Sequence, residues 1–184
     1  GPTTLSHQGQ SVKIATVISD PMSGNLLYPV CTAVALKQLG HAVTALTWTL
    51  DKAQTAGLLE QLDAYGIPVR MIPTLDSPAC LRSFLTALRT LSPARRELGY
   101  DLILSTGPYV TWQLRLVFKG GLFATVVNAM GHDRRSSFKP KLGAFLLNRF
   151  SDVVVALCEA EQARIEYFGV KPNRVAVIPN PVDT

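Results

Sequence analysis

The segment best equipped for chemistry is Ala129-Met130-Gly131-His132-Asp133-Arg134-Arg135, which directly follows an apolar, β-branched run from Phe123 to Asn128. A histidine at the end of a strand can donate a hydrogen bond to a hydroxyl or to a developing charge, and adjacent arginines can hold an anionic group. The plain alternative is a solvated polar loop. A second segment, Ser19-Asp20-Pro21-Met22-Ser23-Gly24-Asn25, lies between an apolar run and a helical pattern. Gly24 would let a ligand approach the backbone, and the free N–H groups of a helix start attract phosphate oxygens. The segment has neither the full G-x-G-x-x-G of dinucleotide binders nor the K-[ST] of a P-loop. Gly24 is equally readable as a turn residue, with Asn25 as the N-cap of the next helix. The third segment is the tail from Arg174 to Asp183, where an apolar run leads into Pro179-Asn180-Pro181 and reads as an exit toward further structure.

Other chemistries find no support. Cys31, Cys80 and Cys158 are far apart and form no C-x-x-C pair, so they read as small buried residues. Metal ligation needs at least three convergent N, O or S ligands, and no such spacing occurs, so no metal is expected. No serine or cysteine has a base near it in sequence that would suggest a hydrolytic triad. An acidic residue ending the second strand would favour NAD, and Asp51, the single candidate, is equally readable as a helix cap.

These segments need a frame. With 184 residues, 47% hydrophobic and 17% charged, the chain can bury one sizeable core. Its longest apolar stretches, such as Leu122 to Met130, fall well short of the roughly 18 to 20 residues of a membrane span. A soluble, cytoplasmic protein is expected. Eighteen Lys and Arg against 13 Asp and Glu give a net charge of +5, which favours anionic partners without choosing among them. No aromatic-interleaved basic run argues for nucleic acid.

From Val12 onward, short apolar runs alternate with helical patterns, the mark of repeated βαβ units and a parallel sheet. Strands are expected at Val12–Ser19, His41–Thr49, Ile67–Ile72, Asp101–Ser105, Phe123–Asn128, Asp152–Leu157 and Arg174–Ile178. Helices are expected at Leu26–Leu39, up to about Tyr65, from Ser77 through Leu91, at Val110–Lys119, around Leu142–Phe150 and at Glu159–Phe168. The fold class is α/β, a doubly wound, mostly parallel Rossmann-like sheet of seven strands with helices on both faces. Residues 1–11 read as a tail, 12–178 as the domain and 179–184 as the start of a crossing into a second domain. Ligands of open parallel sheets lie outside the carboxyl ends of the strands. That rule selects Asp20–Asn25, Thr106–Tyr109, Ala129–Lys139, Cys158–Glu159 and Pro179–Asp183.

The tail, Arg174-Val175-Ala176-Val177-Ile178-Pro179-Asn180-Pro181-Val182-Asp183, resembles the R-V-x-V-I-P-N-G-V-D interdomain crossing of the retaining glycosyltransferase family 4. Upstream, Ser151-Asp152-Val153-Val154-Val155-Ala156-Leu157-Cys158-Glu159 resembles that family's D-x-V-V-A-x-S-E segment. Gly40-His41-Ala42-Val43-Thr44 matches its G-H-x-V-T, and His132-Asp133 its H-D. The matches follow the family's order along most of the chain. They differ at Asn25, where the family has a second glycine, at Cys158 in place of serine, and at Pro181 in place of glycine.

The resemblance implies the N-terminal, acceptor-side half of a two-domain GT-B enzyme of cell-envelope or polysaccharide biosynthesis, whose donor-holding half is absent from this sequence. It implies sugar transfer from a nucleotide diphosphate sugar to a hydroxyl, with retained configuration and with no cofactor or obligatory metal. Gly24 and Asn25 would lie near the donor phosphate and His132 beside the transferred sugar, with Asp133, Arg134, Arg135 and Tyr109 toward a sugar or lipid-linked acceptor. Arg82, Arg89, Arg95, Arg96 and the Arg134 to Lys141 loop would meet anionic lipid at the inner face of the plasma membrane; an ordinary solvated face is the simpler reading. A nucleotide-binding Rossmann module and a non-catalytic interaction domain remain the alternatives.

Overall fold

The computed structural model describes residues 11–18, 27–47, 52–71, 99–118, 120–127 and 138–179. Along the chain these form β1 (Lys13–Val17), α1 (Leu27–Gln38), β2 (Ala42–Thr47), α2 (Lys52–Ala64), β3 (Val69–Met71), β4 (Leu102–Thr106), α3 (Pro108–Val117), β5 (Leu122–Val127), α4 (Phe138–Phe150), β6 (Val153–Ala156), α5 (Glu159–Tyr167) and β7 (Val175–Val177). The sheet has 7 strands in the order β3-β2-β1-β4-β5-β6-β7, and every neighbouring pair is parallel. Strand order therefore reverses between β1 and β4, and all carboxyl ends emerge along one edge. The doubly wound Rossmann-like sheet is the fold that the alternation of runs predicts.

Element ends follow local chemistry. Gly121 has φ 76, and an added Cβ would stand 2.5 Å from the Tyr100 carbonyl oxygen, so the turn into β5 requires glycine. Helix α4 begins at Phe138, earlier than the expected start near Leu142, because Pro140 falls in its first turn, where proline is tolerated. The expected Ser77–Leu91 helix and the tail before Ser11 lie outside the described residues.

Alternation along each strand sends neighbours to opposite faces. On the left half, Val43 and Ala45 of β2 meet Val30 and Ala33 of α1 and Leu62 of α2. On the right half the opposite face is covered: Ile103 and Phe123 meet Val110 and Leu114 of α3, and Val127, Val154 and Ala156 meet Ala144 and Leu147 of α4 and Ile165 of α5. The remaining quarter, the α1-side face of β4 to β7, is only partly covered. There Leu122 is 60% exposed, Val153 40% and Ile178 49%. A hollow of about 570 Å³ lies between it and α1, lined among others by Thr16, Cys31, Ala35, Leu104, Val126 and Val155.

The cysteines correct the sequence reading. Cys31 and Cys158 are both exposed free thiols, and Cys80 lies outside the described residues. Cys31 lies on α1 beside the hollow rather than among the buried Val30 and Ala33, and Cys158 sits past the carboxyl end of β6, where the chain leaves the core. Spacing in sequence carries no information on either placement. Among the described residues no helix is long and apolar enough to cross a membrane, and no group of His, Cys, Asp and Glu converges for a metal ion.

Candidate functional site

The two sheet edges are built differently. At the amino edge two aspartates pin neighbouring strands. Asp101, just before β4, accepts a hydrogen bond on Oδ2 from the Lys13 N–H at 2.9 Å. Asp152, just before β6, accepts on Oδ2 from the Phe123 N–H at 2.8 Å. Arg115 of α3 lies 3.4 Å from Asp152, donates to the Gly121 carbonyl at 3.1 Å, and stacks its guanidinium 4.6 Å above the Phe123 ring. Arg174 donates to the Asn148 and Ser151 carbonyls at 2.7 and 2.8 Å, satisfying acceptors at the end of α4 that the helix itself leaves open. Asp152 and Arg174, both in the segments that carry the family resemblance, thus hold the frame. The Tyr100-Asp101-Leu102-Ile103 and Ser151-Asp152-Val153-Val154 patterns, an aspartate entering an apolar strand, are the sequence signal for the two pins.

The carboxyl edge is the one where the sequence reading expects the site. Its central described feature is the turn Thr106-Gly107-Pro108-Tyr109 between β4 and α3. Gly107 has φ 74 and ψ 158, a conformation open essentially to glycine alone. Its N–H donates to the Val126 carbonyl of β5 at 3.0 Å. Its carbonyl accepts from Thr111 Oγ1 at 2.8 Å. Thr111 Oγ1 also donates to Ser105 Oγ at 2.8 Å and lies 2.8 Å from Thr125 Oγ1, which in turn is 2.7 Å from Ser151 Oγ. All four hydroxyl residues are at most 1% exposed. Sequence reading missed this buried chain. Beyond it, Tyr109 is 37% exposed at the start of α3.

Two more hydroxyls stand where strand order reverses. Thr16 Oγ1 on β1 and Thr106 Oγ1 at the end of β4 are buried without a hydrogen-bond partner. Thr16 pairs in register with Leu104, two residues before Thr106. The expected site residues Gly24, Asn25, His132, Asp133, Arg134 and Arg135 lie outside the described residues. The strands that precede them are described, and β1 and β5 flank β4 at this edge, two strand spacings or about 10 Å apart.

The profile of Glycosyltransferase Family 4 matches residues 31–184. The chain belongs to that family. Solved structures share the fold of this family 4 domain. HepE of Anabaena in complex with UDP-glucose aligns with a TM-score of 0.68 and 16% identity, over 94% of this chain and 44% of that one. A glycosyltransferase from Rickettsia africae ESF-5 aligns with a TM-score of 0.69 and 18% identity, over 93% of this chain and 43% of that one. A UDP-N-acetylglucosamine 2-epimerase aligns with a TM-score of 0.60 and 17% identity, over 93% and 49%. The chain thus spans less than half the length of each. Likeness at such identities establishes the fold alone, which transferases and epimerases share, so the family assignment rests on the profile. No curated protein matches the chain by sequence.

Proposed function

We propose that this family 4 domain is the acceptor-side, N-terminal half of a retaining glycosyltransferase that moves a sugar from a nucleotide diphosphate sugar to a hydroxyl. The carrying observation is the family match on a sheet whose strand order reverses between β1 and β4. Crevices at such reversals receive ligands because the loops on either side diverge. The UDP-glucose held by the similarly folded HepE supports a nucleotide sugar as donor. The bond to the leaving diphosphate breaks through an oxocarbenium-like state, so groups that stabilise negative charge on the diphosphate and orient the ring contribute most.

In this reading Gly24 and Asn25 lie near the donor phosphate, His132 hydrogen-bonds a hydroxyl of the transferred sugar, and Asp133, Arg134, Arg135 and Tyr109 face the acceptor. The acceptor is a sugar or a lipid-linked sugar. The basic set with exposed Lys141 would then rest on anionic lipid at the inner face of the plasma membrane. No cofactor enters.

The test joins two measurements on His132→Ala in the polypeptide that carries both halves. Loss of one transition-state hydrogen bond should lower turnover by roughly 10- to 1000-fold while the melting temperature holds. Turnover near that of the wild type would remove His132 from the site, and a collapsed melting temperature would return it to the core.

A further inference from the structure

The hydroxyl chain that ends at Gly107 has no counterpart in the functional reading above, yet it terminates at the turn between β4 and α3, on the expected site edge. We propose that Thr111 is a positioning residue for sugar transfer: through the Gly107 carbonyl it fixes the turn that presents Tyr109 to the acceptor. The inference rests on the reading that Tyr109 faces the acceptor.

Three observations carry it. First, the Gly107 peptide groups are held from two sides, the N–H by the Val126 carbonyl of β5 and the C=O by Thr111 Oγ1 at 2.8 Å, the shorter partner beside the Thr111 N–H at 3.3 Å. Val126 is the penultimate residue of β5, so the same contact ties this turn to the strand that leads into the His132 segment. Second, the turn is not held by packing. Gly107 has no atom within 4 Å of where a Cβ would lie, and Tyr109 is partly exposed. Its position is set by hydrogen bonds rather than by a filled core. Third, Thr111 Oγ1 is fully buried and lies 2.8 Å from both Ser105 Oγ and Thr125 Oγ1, so its side chain is held in the rotamer that reaches the Gly107 carbonyl.

Ordinary cohesion of the core would not need a hydroxyl at position 111, since a valine there would fill the same space. What the chain adds is a defined location for one carbonyl, on helix α3, whose Val110 and Leu114 are anchored in the core. Pre-set geometry of this kind matters to transfer because displacement of a binding group by about 1 Å can lower efficiency about 100-fold.

The experiment compares four variants in the polypeptide that carries both halves, by acceptor KM, donor KM and melting temperature. Thr111→Val should raise acceptor KM about 10-fold or more while donor KM stays within about 2-fold, and Thr111→Ser, which keeps the hydroxyl, should restore it. Thr125→Val breaks the chain one link farther from Gly107 and leaves the Thr111 to Gly107 bond in place, so it should cost melting temperature with little change in acceptor KM. If Thr111→Val does not fold, Gly107→Ala moves the same turn without touching the core hydroxyls and should produce the same acceptor-specific rise. Equal effects of Thr111→Val and Thr125→Val on acceptor KM would overturn the proposal and reduce the chain to a stability element. So would an unchanged acceptor KM in Thr111→Val, or in Gly107→Ala where that variant replaces it. Tyr109→Ala separates the two levels: if it leaves acceptor KM unchanged, the reading of Tyr109 fails, whereas a rise in Tyr109→Ala without one in Thr111→Val fails the positioning role alone.

Discussion

The two faces of β5 and β6 carry residues of nearly the same apolar character and meet very different surroundings. On one face Phe123 and Val154 are fully enclosed under α3, α4 and α5. On the other, their immediate neighbours Leu122 and Val153 are 60% and 40% exposed. Strands written as near-continuous apolar runs belong to parallel sheets buried on both faces. The sequence of this quarter is therefore that of a covered face, and while Val155 there is 4% exposed, Leu122 and Val153 contribute little to holding the described domain together. A pattern of hydrophobicity reports the environment a strand is suited to, and burial reports the one it has.

Paired alanine variants sharpen this contrast, and they carry the largest effect. Phe123→Ala should cost about 3 to 5 kcal/mol, through lost transfer free energy and the cavity left under Arg115 and α3. Leu122→Ala, one residue away, should cost well under about 1 kcal/mol because most of its surface stays in water. Urea titration of the 184-residue chain at several protein concentrations measures both. Comparable losses at the two positions would break the comparison and show that the open face is covered in solution.

The enclosed face also has a polar clasp, and removing it is the middle-sized test. Asp152 takes the Phe123 N–H and pairs with Arg115, whose guanidinium lies on the Phe123 ring. Both side chains are about one-third exposed, so the ion pair itself contributes little, and the N–H bond to a carboxylate dominates. Asp152→Ala should therefore cost about 1.5 to 3 kcal/mol, whereas Arg115→Met, which removes the weak ion pair, an exposed bond to the Gly121 carbonyl and the stacked guanidinium but keeps the apolar stem, should cost less. The reverse order would mean that the stacked guanidinium rather than the carboxylate holds the start of β5.

Much of this was legible in the sequence. The alternation of runs located all seven strands and five described helices to within a few residues, because each parallel strand is short, β-branched and bounded by a turn. Faces were not legible: a strand suited to burial on both sides looks the same whether or not its second cover is at hand. The hydroxyl chain was also invisible, since Thr111 lies 6 residues from Ser105 and 14 from Thr125, and Thr125 lies 26 from Ser151; sheet register alone brings them together. At the expected site edge, sequence pattern and family resemblance supplied the candidates, and the strand order sets the ends of β1 and β5, the strands that precede Gly24 and His132 in sequence, on one edge.

The smallest effect concerns the last helix of the enclosed face. Cys158 is the N-cap of α5, with φ −158 and ψ 165, the extended geometry an N-cap adopts, yet its side chain makes no capping hydrogen bond. Its carbonyl accepts from the Glu161 and Gln162 N–H groups, so the backbone is already arranged and only the side-chain acceptor is weak. Sulfur is a poor acceptor and serine oxygen a good one. Glu159 and Glu161 in the first turn add favourable charge at the helix start and stay in place in the variant. Cys158→Ser should therefore raise stability by about 0.5 to 1 kcal/mol, equal to a few degrees in melting temperature. The gain should pass to the enclosed layer alone: amide exchange of Ile165 and Val170 should slow, while that of the Cys31 to Leu36 stretch of α1 stays as it was. A serine that brings no gain would mean that the thiol at this helix start already contributes as much as a hydroxyl.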